Sequence, residues 1–369
     1  MTTRRKLIFV GAAAISTVAA ALAQPQSSPS PAPAVNPPAA APSAAPTPAS
    51  ATSALALTAP PSQAQLNRLA QQRRLIGPGE YWEEGPGTNF VRMEGGALVD
   101  EDRVRTAREV VSHSTGTPEW SNPRGFEKDV FTFARVIFKS TVGYGQGHNY
   151  GRNLGWWVDF PDADLNFSYR LQQITSTKVD PNGRVLKLTD PELSNYPLLY
   201  IEHAGYMMLR EDEVAALRKY LLAGGVLFVG DFWSQIEWEG FERQMKRVLP
   251  ERKWTDVPIT HPIFNSIFQL KGPMQMLQVP TMQFWNRDYD PRNPSAVPLQ
   301  WRDRGAGSEI MNVRAWNDDK DRLMVLVIHN SDFSDGWERE GEHDDYFHTY
   351  SEKISYPLGI NILYYIMTH

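Results

Sequence analysis

Three segments of the chain are apolar throughout, and each ends in an ionisable side chain. They are residues 198–203 (LLYIEH), 226–231 (VLFVGD) and 323–329 (LMVLVIH). Strands without polar alternation are covered on both faces, which is typical of a parallel sheet under helices. In such a sheet the C-terminal ends of the strands open onto one edge, where ligands bind. The pattern therefore predicts one crevice shared by four polar side chains: Glu202, His203, Asp231 and His329.

A helical pattern separates the first two of these strands. Acidic residues 211–213 occupy its first turn, and an apolar stripe runs through Val214, Leu217 and Leu221. Gly224 ends the helix, as expected for a residue that turns left-handed. The result is a strand–helix–strand unit, whose crossover should be right-handed.

Further segments extend this unit into a larger domain. Residues 130–139 have the β-branched and aromatic content of a strand. Residues 309–316 should pair with 323–329 across a polar turn, and 251–307 are rich in Pro and Trp. The predicted fold class is α/β: a mostly parallel, doubly wound sheet with an antiparallel hairpin addition and a loop-rich insertion.

The N-terminus has the three parts of an export signal. Residues 4–6 are basic, 7–22 are apolar and small, and 21–23 (ALA) form a cleavage site, which predicts a signal peptide over 1–23. The Arg4-Arg5 pair fits either a Sec or a twin-arginine signal. The protein is therefore expected in the periplasm or outside the cell, with no membrane span in the mature chain.

Composition divides the remainder of the chain. Residues 24–63 are nearly all Pro, Ala, Ser and Thr, and such a segment cannot bury enough apolar surface to fold. We interpret it as a disordered linker. Residues 64–128 are expected to form an irregular, partly helical arm, and 129–369 the α/β domain.

Composition also excludes several functions. The chain has no cysteine, so it can form no disulfide and use no thiolate mechanism. A net charge of −5 without a basic run argues against nucleic-acid binding. The acidic segment 335–348 contains two histidines, but their spacing matches no standard zinc site. No metal and no cofactor are predicted, and protein partners are not indicated.

Asp231, His203 and Glu202 are the candidate catalytic residues. A carboxylate buried without partners would cost several kcal/mol, so Asp231 must reach solvent, a cation or hydrogen-bond donors. Its alternative role is to cap the following turn. Glu202 and His203 are adjacent and would point to opposite faces within a strand. His203 is either a general base or a histidine satisfied by backbone groups.

The glycine-rich segment 143–155 (GYGQGHNYGRNLG) follows a predicted strand. No helix opens at its third glycine, so it lacks the geometry of a dinucleotide-binding loop. It is either a lip that contacts a polar ligand or a mobile surface loop. The candidate ligand-binding residues come from this segment, from its flank and from the strand edge: Tyr144, His148, Asn149, Arg152, Trp156 and His329.

Several segments together resemble a bacterial family of unknown function, domain-of-unknown-function family 4159. They are FTFARVIF, WWVDFPDADLNF, LLYIEHAG…LRKYLLAGGVLFVGDFW, HPIFNSIF, DGWE and YPLGINILYYIMTH, and the resemblance covers about residues 129–369. The family is similar to class I glutamine amidotransferases and trehalose-utilisation proteins, which implies a flavodoxin-like sheet. Amidotransferases place a cysteine at the elbow that Asp231 occupies here. Without cysteine, amidotransferase chemistry is excluded, and the resemblance implies a fold and a crevice but no activity and no catalytic residue.

Three functions remain open from the sequence. The first is binding of a small polar ligand, a carbohydrate or cell-wall fragment, at the C-terminal edge of the sheet. The second is a hydrolase in which Asp231 and a histidine form an acid/base pair, with or without a metal, which requires them to lie within hydrogen-bond reach directly or through one water. The third is a structural or partner-binding envelope protein.

Overall fold

A seven-stranded sheet forms the centre of this computed structural model. The structure describes residues 90–92, 98–114, 116–125, 129–140, 155–285 and 307–369. The chain divides into two units, Met1–Ala59 and Pro60–His369, and all of these residues belong to the second. The predicted signal peptide, the linker and most of the segment 64–97 lie outside the described residues.

The described part of the chain contains eleven strands and six α-helices. The strands are β1 (Phe90–Arg92), β2 (Leu98–Asp100), β3 (Ala134–Ile137), β4 (Lys139–Ser140), β5 (Arg184–Lys187), β6 (Leu198–Glu202), β7 (Met207–Met208), β8 (Val226–Gly230), β9 (Thr255–Asp256), β10 (Asn312–Asn317) and β11 (Leu323–His329). The helices are α1 (Asp162–Ile174), α2 (Glu211–Leu222), α3 (Ser234–Val248), α4 (Asp335–Glu338), α5 (Asp344–Tyr346) and α6 (Tyr356–Thr368), with a π-helix (Phe347–Ser355) before α6.

The strands of the main sheet lie in the order β5-β3-β6-β8-β11-β10-β9. The first five of these are mutually parallel, whereas β10 is antiparallel to both of its neighbours. The register of β6 on β8 runs from Leu198↔Val226 to Glu202↔Gly230. The predicted parallel alignment and the β10–β11 hairpin are confirmed. The C-terminal ends of β6, β8 and β11 therefore lie on one edge.

Helices cover both faces of the sheet, which makes it doubly wound as predicted. Side chains of β8 alternate between the two cores: Leu227 and Val229 pack in one, Val226 and Phe228 in the other. Helices α2 and α3 contribute to the first core, and α1 and α6 to the second. Burial of each large apolar side chain stabilises the fold by about 1.5–3 kcal/mol, so strands that are apolar on both faces suit this position.

The loop-rich insertion predicted at 251–307 is described only as far as residue 285. It contains β9 and three short 3-10 helices, at Pro262–Phe264, Met274–Leu277 and Met282–Phe284. Residues 286–306 lie outside the described part. Among the helices that the structure describes, none combines the length and hydropathy needed to span a membrane.

Candidate functional site

His203 and Asp231 follow adjacent parallel strands at the point where each strand ends. β6 ends at Glu202 and β8 at Gly230, and the next residue in each case has a left-handed backbone, with φ of 51° at His203 and 43° at Asp231. Few residues other than glycine adopt this conformation, and those that do are enriched at functional sites. The His203 amide donates a 3.2 Å hydrogen bond to the Asp231 carbonyl oxygen, which joins the two turns.

The side chains of His203 and Asp231 meet directly. The His203 Nε2 lies 2.6 Å from Asp231 Oδ2, and both residues are buried. The indole Nε1 of Trp233 donates a 2.7 Å hydrogen bond to Asp231 Oδ1. Each carboxylate oxygen of Asp231 therefore contacts a nitrogen donor. A buried carboxylate needs such partners because burying an unpaired charge is costly, but the sequence alone does not identify them.

Glu202 belongs to a different set of contacts, although it precedes His203. Its Oε2 accepts a 2.7 Å hydrogen bond from Arg135 Nη1, and its Oε1 accepts a 2.6 Å hydrogen bond from the Tyr200 hydroxyl. Arg135 also binds Asp164 of α1 through Nε and Nη2, and its Nη1 donates to the carbonyl of Trp156. Burial raises the pKa of Glu202 above its usual value, although the positive charge of Arg135 opposes this shift.

Glu202 and His203 therefore separate into two groups, as their adjacency predicts. The left-handed turn at His203 directs that side chain to Asp231, while Glu202 stays with Arg135. The contacts of Glu202 are those of a buried ion pair between strands and a helix. This arrangement favours His203 over Glu202 as the partner of Asp231.

His329 ends β11 on the same edge, but its contacts are aromatic. Its ring centroid lies 4.9 Å from that of Phe232 and 5.4 Å from that of Trp238, and its Nε2 lies 3.0 Å from the Ser234 carbonyl oxygen. Burial lowers its pKa to about 3, so the imidazole is neutral near pH 7. A ligand-binding role for His329 stays a prediction.

The other predicted ligand-binding residues divide between buried and undescribed positions. Trp156 is fully buried and its Nε1 donates a 2.7 Å hydrogen bond to Glu101 Oε1. Four of them lie outside the described residues: Tyr144, His148, Asn149 and Arg152. Their role as a lip over the sheet edge stays a prediction.

Sequence analysis does not single out an acidic group at the same edge. Asp159 precedes α1, Asp332 follows β11, and Asp335 begins α4; all three are buried. One carboxylate oxygen from each lies within 4.8 Å of the other two. Asp335 belongs to the acidic segment 335–348, whose histidine spacing matches no standard zinc site. The run WWVDFPDADLNF is the only sequence signal for Asp159.

The three carboxyl groups also interact electrostatically, through Asp335, with the His203–Asp231 pair. Burial raises the pKa of Asp159 well above its usual value, and the negative charges of Glu338, Glu202, Asp332 and Asp335 add to the effect. Burial also raises the pKa of Asp335, and Asp231 is among the charges that contribute. The carboxyl groups at this edge therefore raise one another's pKa.

One family matches the chain. The family described as Domain of unknown function (DUF4159) matches residues 141–367, which is more than half of the chain. Among curated proteins, no sequence matches this chain.

Proposed function

The chain belongs to the family Domain of unknown function (DUF4159), and we propose that its α/β domain is a hydrolase in which His203 and Asp231 act as an acid/base pair. The observation that supports this is the 2.6 Å distance between His203 Nε2 and Asp231 Oδ2. A catalytic pair requires hydrogen-bond reach, which this distance meets. The pair also lies at the edge where parallel sheets bind ligands.

The roles of the two residues follow from their contacts. Asp231, held by the Trp233 indole, orients the imidazole through Nε2 and stabilises its protonated form. Proton exchange with the reactants then takes place at Nδ1, the ring nitrogen that does not face Asp231. A histidine serves this purpose because its ordinary pKa is close to physiological pH.

The reaction is hydrolysis of an ester or amide bond. His203 removes a proton from water while the water oxygen forms a bond to the acyl carbon. The bond from that carbon to the leaving oxygen or nitrogen breaks, and His203 returns the proton to the leaving group. Asp231 remains a carboxylate throughout. General acid/base catalysis of this kind contributes about 10²–10⁴-fold to a rate.

The proposed substrate is a small polar molecule, a carbohydrate or a cell-wall fragment, that carries such a bond. Two sequence features support this choice. The chain has eleven Trp and fourteen Tyr, which suit stacking on sugars, and the segment 143–155 combines glycine with polar and aromatic residues. The predicted export, to the periplasm or beyond, would bring the protein to cell-wall material.

The test is a hydrolysis screen with O-acetylated and N-acetylated cell-wall fragments, with acetate release as the readout. We expect wild type to release acetate and His203→Gln to be slower by about 10²-fold or more. Glutamine retains a hydrogen-bonding side chain beside Asp231 without an imidazole. The matched control is His348→Gln, because the His348 side chain is 59% exposed and contacts Glu352. It should retain wild-type activity.

Two outcomes would refute the proposal. The first is equal activity in His203→Gln and wild type. The second is no hydrolysis by wild type, whether or not a glycan raises its melting temperature. If a glycan does so and Asp231→Ala abolishes that increase, the edge is a binding site without catalysis. If no glycan binds and none is hydrolysed, a structural or partner-binding role replaces both the hydrolase and the binding-site interpretations.

A further inference from the structure

We propose that Asp159, Asp332 and Asp335 form a binding site for one divalent cation of the oxygen-preferring class, such as Ca²⁺ or Mg²⁺. Asp159 precedes α1, whereas Asp332 and Asp335 lie three residues apart after β11, and the two segments converge at the C-terminal edge of the sheet. Each offers one carboxylate oxygen, and these oxygens lie within 4.8 Å of one another. This site does not depend on the catalytic role of His203 and Asp231.

The spacing of the oxygens suits such an ion. Opposite oxygens lie at most about 4.8 Å apart around Ca²⁺ and about 4.2 Å apart around Mg²⁺, since the metal–oxygen distances are about 2.4 and 2.1 Å, and neighbouring oxygens lie closer. The three ligand atoms are all carboxylate oxygens. Carboxylates suit Mg²⁺, Ca²⁺ and Mn²⁺, whereas structural Zn²⁺ sites are built mainly from cysteine and histidine.

Two of the three carboxylates are held in place by hydrogen bonds. Asp332 Oδ2 accepts a 2.6 Å hydrogen bond from the Thr281 hydroxyl, and Asp332 Oδ1 accepts one of 3.1 Å from the Asp335 amide. Asp335 Oδ2 accepts a 2.6 Å hydrogen bond from the Met282 amide, and Asp335 Oδ1 accepts one of 3.3 Å from Arg339 Nε. Donors of this kind orient metal ligands.

Asp159 provides the independent sign of a ligand. It is 4% exposed, and its Oδ2 has no hydrogen-bond partner within the described part of the chain. The same part of the chain offers it no ion pair, while Arg339 pairs with Asp335 and Arg135 with Glu202. Burial of an unpaired carboxylate is costly, so this oxygen requires either a cation or a proton. The neighbouring carboxylates also raise its pKa, in addition to burial.

The first test measures cation binding by the whole protein after treatment with a chelator. Isothermal titration calorimetry with CaCl₂ and MgCl₂, at constant ionic strength, should show one cation per chain for wild type. Asp159→Asn keeps the size of the side chain and removes its charge, and we expect at least a tenfold loss of affinity. The melting temperature should rise with the cation for wild type and not for this variant, because a ligand that binds only the folded state stabilises it.

The matched control is Asp319→Asn. The Asp319 side chain is 91% exposed and lies in the turn between β10 and β11, at the opposite end of β11 from Asp332. The Asp319→Asn substitution removes one negative charge, as Asp159→Asn does, and this variant should keep the wild-type affinity for the cation. His203→Gln should also keep it, so failure of the hydrolase proposal can be distinguished from failure of this one.

Three results would overturn the cation site. The first is that wild type takes up neither cation, and the second is that Asp159→Asn binds as tightly as wild type. The third is that Asp159→Asn melts at a higher temperature while no cation shifts wild type, which would mean that the carboxyl groups share protons. If Asp159→Asn does not fold, wild type alone gives the answer through Tb³⁺ luminescence excited at tryptophan, because Trp337 lies two residues from Asp335. Emission that Ca²⁺ displaces supports the site, and its absence overturns it.

Discussion

Replacement of His329 by glutamine should change how the stability of the protein depends on pH. His329 is 2% exposed and packs against the rings of both Phe232 and Trp238. Its Nε2 faces the Ser234 carbonyl oxygen at 3.0 Å, so the proton of the neutral ring lies on Nε2. Burial lowers the pKa from 6.5 to about 3, although the hydrogen bond to Ser234 opposes this shift.

The sign of the effect follows from proton binding in the two states. Between the folded pKa of about 3 and the unfolded pKa of 6.5, the unfolded chain binds a proton that the folded protein does not. The free energy of unfolding therefore falls as pH decreases through this range, by about 1.4 kcal/mol per pH unit. Integrated from pH 7 to pH 4.5, the contribution of His329 is a loss of about 2.5 kcal/mol.

Buried carboxyl groups act in the opposite direction. The pKa values of Asp159, Glu202 and Asp335 are raised in the folded protein, chiefly by burial, so the folded state takes up their protons first as pH falls. The pH profile of wild type alone is the sum of these effects. The difference between wild type and His329→Gln isolates the histidine, because glutamine offers an amide donor to Ser234 and does not titrate.

The assay is urea denaturation of both proteins between pH 7 and pH 4.5, followed by tryptophan fluorescence. We expect His329→Gln to be the less stable at pH 7, since it loses ring packing. Its deficit should shrink by about 2.5 kcal/mol at pH 4.5. His348→Gln, which replaces an exposed histidine, should follow the wild-type profile. Parallel profiles for wild type and His329→Gln would refute the reasoning, because they would show that the folded protein protonates His329.

Two further substitutions test the buried contacts that support the site. Arg135→Met should lower the free energy of unfolding by about 3–5 kcal/mol, measured by urea denaturation, because Asp164 and Glu202 would lose their buried cation. Gly240→Ala should lower the melting temperature, because an added Cβ would lie 1.9 Å from the carbonyl oxygen of Gly205. Displacing that backbone costs about 1–3 kcal/mol.

Each of these has a matched control on the surface. Arg103→Met removes an arginine whose side chain is 75% exposed, and Glu239→Ala places an alanine at an exposed position of α3. Both should leave stability within about 0.5 kcal/mol of wild type. If Arg135→Met or Gly240→Ala behaves like its control, the corresponding contact does not stabilise the fold.

Much of the fold could be predicted because it follows from local periodicity. Segments 198–203 and 226–231 are apolar on both faces, and only a sheet covered on both sides buries all of those side chains. The helix Glu211–Leu222 follows from its acidic first turn, its apolar stripe and the glycine after it, Gly224, whose φ is 116°. Both results depend on residues a few positions apart.

The site could be predicted only in part. The convergence of Asp231 and His203 at one edge follows from parallel strands, and both residues were candidates. Their direct contact also needs left-handed turns at both positions, and a single strand pattern does not reveal such turns. The separation of Glu202 from His203 was expected, but its partner Arg135 was not identified.

The order of apolar and polar residues was sufficient to predict the strands β6, β8 and β11, the helix between β6 and β8, and the edge where these strands end. Pairings between charges depend on segments far apart in the chain, and only the packed fold decided them. Asp159 approaches Asp332 and Asp335 because α1 and α4 pack together at that edge. Side-chain periodicity reports burial along one element, whereas the energy of a buried charge depends on every element around it.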